Sequence, residues 1–130
     1  MKSRENLLRL KHFQVEDKTR QLAQIDMMIA EFEKMRGDLE AQIKIEEEKA
    51  GITDPNHFAY PTFAKAALQR KENLAGSIRD LNEKRINAEA ALQEADEELR
   101  KAQKLEQRDG GSGLLDDNIE DVTESRAMIG

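Results

Sequence analysis

One stretch limits what this chain can fold into more than any other: Ala50–Phe63, AGITDPNHFAYPTF. Between Arg4 and Arg108 it is the only break in helix-forming sequence. Both prolines, Pro55 and Pro61, lie in it, with Phe58, Tyr60 and Phe63 beside them. The flanking segments are nearly equal, each about 46 residues or roughly 69 Å of helix at the usual rise per residue. The expected fold class is therefore all-α, with two long helices in an antiparallel coiled-coil hairpin. The helices are expected over about 4–50 and 62–108, with a bend at 51–61. Gly51 stands where a left-handed helix cap is expected. Pro61 stands where a helix can start, because its missing donor is not needed there. Pro55 and Pro61 also oppose the main structural competitor, a parallel dimer of continuous helices.

Heptad spacing says which faces meet. In the first half, Leu8, Val15, Leu22, Ile29, Arg36 and Ile43 recur every seven residues. A second series holds Lys11, Lys18, Ile25, Phe32, Leu39 and Glu46. These are the a and d phases of a two-stranded seam. In the second half the d phase reads Ala67, Leu74, Leu81, Ala88, Ala95 and Ala102. Its a phase reads Lys71, Ile78, Arg85, Leu92 and Leu99. Large residues of the first helix thus face alanines of the second. One register sets Leu22 by Ala95, Ile29 by Ala88, Phe32 by Arg85 and Leu39 by Ile78. A shift by one heptad is equally allowed. The charged seam residues are expected to lie along the seam and reach water at its edge. A sharper reading has Arg36 and Arg85 weaken the middle while fixing register.

Composition excludes several classes. Charged residues make up 37% and aromatics 4%, too little bulk for a rounded core and suited to helices that bury a narrow stripe. There is no cysteine, which rules out disulfides and thiolate metal sites. His12 and His57 are far apart, and no glycine-rich phosphate loop is present. A two-helix structure has no cavity that excludes water. The expectation is no catalytic residue, no cofactor, no metal and no enzyme activity. No apolar run is long enough to span a membrane, and the N-terminus lacks a secretory pattern. The net charge of −6 comes mostly from the end of the chain, where five acids from Asp116 to Glu124 face Arg126 alone. The helices are balanced mosaics, which argues against nucleic acid as a partner. Residues 110–130 read as a flexible acidic tail after the Gly110–Gly113 run.

Two regions are candidates for partner binding. At the bend, Phe58, Tyr60 and Phe63 read either as a plug over Ile45, Ile52 and Ala66 or as a docking tip. Thr53-Asp54-Pro55 reads as a cap before one short helical turn over 55–58. At the N-terminal start, Lys2, Arg4, Arg9 and Lys11 stand among Leu7, Leu8 and Leu10, a basic, apolar helix start that suits an acidic protein surface and, less well, a membrane interface.

The opening MKSRENLLRLKHFQVEDKTRQL, the break GITDPNHFAYPTFAKAA and the continuation LQRKENLAGSIRDL resemble the flagellar export protein family FliJ of alphaproteobacteria. The resemblance covers about residues 1–109, and the bend is its most specific part. It implies a small cytoplasmic component of the flagellar type III export apparatus, at the cytosolic face of the basal body. It implies a hairpin similar to the central stalk of rotary ATP synthases. The partners it implies are the ring of the export ATPase FliI, the export gate protein FlhA and export chaperones, with membrane association only through those proteins. By analogy the paired ends, with Arg4, Arg9, Lys11, Arg100 and Lys104, enter the ring. The bend, with Phe58 and Tyr60, is then free for another contact. The residues alone also fit a free coiled-coil chaperone or adaptor that holds clients through an aromatic tip. A transcription factor entering the polymerase channel fits less well, because the tip has Asp54 alone and no cysteine zinc site is possible.

Overall fold

The computed structural model describes residues 2–117, with side chains described from Ser3 to Arg108. It contains two long helices, α1 (Lys2–Ala50) and α2 (Thr62–Asp117), which pack against each other, and no strand among the described residues. The bound of α2 at Asp117 lies beyond the expected end near residue 108. The flexible tail expected over 110–130 falls outside the described residues from residue 118 onward.

Both helix boundaries have local causes. Gly51 adopts φ 71°, a left-handed conformation that costs a residue with a Cβ free energy and costs glycine almost none. That turn lets the Gly51 and Ile52 amides converge on the Glu47 carbonyl oxygen, at 2.8 and 3.3 Å. One of the carbonyls that the helix end would leave open is thereby satisfied by two donors. At the start of α2, the Pro61 carbonyl accepts the Lys65 amide at 3.0 Å, the first bond of the new helix. Proline lacks a donor, but none is required of it here.

The chain divides into two compact units. The bend unit is Leu22–Asn87, and the terminal unit joins residues up to Gln21 with those from Ala88. In the bend unit, every seam position named above is buried or half-buried. Leu39, Ile43, Tyr60, Ala64 and Ala67 form its core cluster, with Ile52, Leu68 and Leu74 packed against them. Ile78 and Leu81 are also buried. Burying a side chain such as Ile43 contributes about 1.5–3 kcal/mol relative to leaving it in water.

Ion pairs give the direction and register of the bend unit. Arg85 pairs with Asp26, and Lys71 pairs with Glu40 at 3.2 Å. Two heptads back along α2, from Arg85 to Lys71, move the partner two heptads forward along α1. The two segments therefore run antiparallel within this unit. Arg85 reaches the carboxylate next to Ile25, not a site beside Phe32. Lys71 likewise reaches the carboxylate next to Leu39, where the first register had Ile78. The register present is thus the alternative, shifted by one heptad. The same pairs explain the charged seam residues. Arg85 and Lys71 run out of the seam to a carboxylate at its edge, and Arg36 does so to Glu33 on its own helix. Such half-exposed pairs contribute at most about 1 kcal/mol each.

The terminal unit buries less. Its seam positions are half-buried, except Ala95 and Ala102, which are buried. Lys11 occupies the seam and reaches Glu98 at 3.5 Å. Lys18 and Gln14 line an open groove of about 280 Å³ with Ala91, Glu94, Ala95 and Glu98.

Candidate partner-binding site

The bend is built from turns, not from the short helix expected over 55–58. The His57 amide donates to the Asp54 carbonyl and the Tyr60 amide to the His57 carbonyl, both at 3.0 Å. These are two successive β-turns. The Asp54 side chain caps the first of them, accepting the Asn56 amide at 3.0 Å. Aspartate does this because its short carboxylate reaches its own backbone two residues on. In the second turn, His57 Nδ1 accepts the Ala59 amide at 3.0 Å. Helix is disfavoured here because the run ends on Tyr60-Pro61, and a residue before proline is pushed to extended geometry.

These turns split the aromatic cluster. Tyr60 is 7% exposed and belongs to the core with Leu39, Ile43, Ala64 and Ala67. Its hydroxyl donates to Glu47 Oε2 at 2.6 Å. Burial first, then the hydrogen bond to Glu47 and its negative charge, together push the Tyr60 hydroxyl up to about 12. Glu47 therefore holds the bend twice, through its carbonyl at Gly51 and Ile52 and through its carboxylate at Tyr60. Phe58 is the opposite case. It is 97% exposed and stacks only on the neighbouring His57 ring, with centroids 4.8 Å apart and planes inclined by 22°. Phe63 is 56% exposed. Of the residues expected beneath a plug, Ile52 is half-buried against the core, whereas Ile45 and Ala66 are exposed. The expected plug is thus reduced to Tyr60 with Ile52 beside it, while Phe58 and Phe63 stay exposed.

The five basic candidates all belong to the terminal unit. Arg9, Arg100 and Lys104 are exposed and point away from the seam phases. Arg4 and Lys11 are half-buried in the d phase, Lys11 is committed to Glu98, and Arg4 is also engaged. The outward cations available for a partner are thus Arg9, Arg100 and Lys104. Beside them, Leu7, Leu10 and Phe13 are exposed on α1, with the Arg20 guanidinium 6.0 Å from the Phe13 ring centroid.

One feature of α1 escaped the sequence reading. Asp26, Glu33, Glu40 and Glu47 form a carboxylate row at heptad spacing, directly after the d phase. Every member is engaged: with Arg85, Arg36, Lys71 and Tyr60 in turn. This row closes one edge of the bend unit. The regular acid spacing was the available signal.

Among the described residues, no group of three or more His, Cys, Asp and Glu side chains could hold a metal ion. No described helix is long and apolar enough to cross a membrane. No protein-family model, no curated protein and no solved structure matches the chain.

Proposed function

We propose that this chain is a FliJ-type, non-enzymatic part of the flagellar type III export apparatus. In this reading it is an antiparallel coiled-coil hairpin that serves as stalk and adaptor. It promotes assembly and activity of the export ATPase FliI ring and links that ring to the export gate FlhA and to export chaperones. It acts in the cytoplasm at the cytosolic face of the flagellar basal body. It needs no cofactor, and it meets the membrane only through its protein partners.

The observation that carries this reading is the bend. The segment with the most specific resemblance is also the one in which four residues have a clear structural task. Gly51 caps α1, Asp54 caps a turn, Tyr60 fills the core and Pro61 opens α2. A stalk also needs an outer surface that can slide within a ring without binding one subunit too tightly. A balanced charge mosaic with scattered exposed apolar side chains suits that task.

The test uses purified FliI with and without this protein. The expected result is faster ATP turnover and more hexamer as the protein is titrated in, together with co-elution. Unchanged turnover and hexamer fraction, with no co-elution, would contradict the reading. A second reading, a free adaptor that grips clients through an aromatic tip, is favoured by the exposure of Phe58. In that case export-client binding depends on Phe58, and FliI turnover does not respond.

A further inference from the structure

The bend unit has two edges of different kinds. One is the carboxylate row described above, closed by four internal partners. Along the other edge, the α1 row before the a phase is Met28, Met35 and Gln42. The corresponding α2 row is Arg70, Ser77 and Lys84. Neither row holds a carboxylate. Met28 is 45% exposed and Met35 40% exposed. Met35 and Phe32 line an open groove of about 240 Å³ with Arg70, Asn73, Leu74 and Ser77. No salt bridge engages Arg70 or Lys84 among the described residues.

The two helices offer opposite chemistry on this edge. The exposed face of α1 presents thioethers and acids: Met28, Glu31, Met35 and Asp38. The exposed face of α2 presents small side chains and cations: Arg70, Asn73, Ser77 and Lys84, with Asp80 its one acid. Bulk on one side faces smallness on the other, and negative charge faces positive charge. A surface with these two halves is complementary to itself under a two-fold rotation, which lays α1 of one copy on α2 of the other. Methionine suits such a contact because its flexible thioether adapts to an irregular surface.

We propose that this open edge is the two-fold contact of a homodimer. Met28 and Met35 of one protomer rest on Asn73 and Ser77 of its partner, while Glu31 and Asp38 face Arg70 and Lys84. Each contact occurs twice. The proposal uses only the bend unit's own surface and does not depend on the export reading.

Sedimentation equilibrium of the full chain over a wide concentration range tests it, with two charge-swapped variants. One is Glu31→Lys with Asp38→Lys, the other Arg70→Glu with Lys84→Glu. All four positions are exposed, so helicity by circular dichroism is expected to stay unchanged. The wild-type chain is expected to dimerise reversibly, and each variant alone to dissociate at least about tenfold more readily at low salt. Mixing the two variants restores association, because each swapped face then meets its complement. A wild-type chain that stays monomeric overturns the proposal. So does a dimer that withstands both swaps, or variants that fail to associate with each other when mixed.

Discussion

The bend unit and the terminal unit use the same heptad pattern with different results. In the bend unit, Leu39, Ile43, Tyr60, Ile78 and Leu81 are all buried, so large side chains leave water. In the terminal unit the buried residues among those described are Ala95 and Ala102, and Leu92 and Leu99 are only half-buried. A buried alanine removes one methyl group from water, worth a fraction of what a leucine or isoleucine contributes. Periodicity therefore says where a seam runs, while side-chain volume says how firmly each part is held. The bend unit supplies rigidity. The terminal unit is the part whose order a partner can most readily change.

The largest expected effect comes from deleting bulk in the better-packed unit. Ile43→Ala should lower stability by about 2–4 kcal/mol, because it leaves a cavity among Leu39, Tyr60, Ala64 and Ala67. Leu99→Ala in the terminal unit should cost only about 1 kcal/mol, because that side chain is half in water already. Equal losses in urea titrations would break the comparison.

A smaller effect sharpens it. Tyr60→Phe keeps the ring and loses the bond to Glu47, at a cost of about 1 kcal/mol. This group also sets a pH dependence. Its folded pKa is raised from 10.0 to about 12, so the folded state holds the proton more tightly than the unfolded state. The stabilisation is therefore complete below pH 10 and is lost as pH rises toward 12. Thermal melts across that window should show a larger loss in the wild-type chain than in Tyr60→Phe, which has no proton to lose at this position.

The smallest effect is expected at Phe58. Phe58→Ala should change stability by no more than about 0.5 kcal/mol, since the ring is almost wholly in water. A melting temperature clearly below that of the wild-type chain would mean that the tip also supports the fold.

The two helices, the cap at Gly51 and the seam phases were legible because each rests on local chemistry. Glycine tolerates positive φ, proline opens a helix, and seven residues nearly complete two turns. Register was not legible from the apolar residues, because moving α2 by seven leaves alanines facing large side chains again. The discriminating information lay in charge: Asp26 and Glu40 flank the d phase where Arg85 and Lys71 need partners. Tyr60 and Phe58 are two residues apart in sequence and equally aromatic, so sequence alone does not separate them. Yet the second turn and Pro61 bring Tyr60 back over the seam, where it packs in the core with Leu39, Ile43, Ala64 and Ala67. The fate of Phe58 depends on two successive turns whose geometry no periodicity encodes. Among the basic candidates, phase again separates the seam residues Arg4 and Lys11 from the outward Arg9, Arg100 and Lys104.

The most direct test is amide hydrogen exchange of the full chain, read by mass spectrometry, with and without FliI. Slow exchange is expected over residues 39–47 and 64–81 in both conditions. Exchange over residues 4–20 and 95–107 is expected to be faster in the chain alone and to slow when FliI is added. Slowing confined to the bend unit, or no change on adding FliI, would contradict the proposal that the terminal unit meets the ATPase ring.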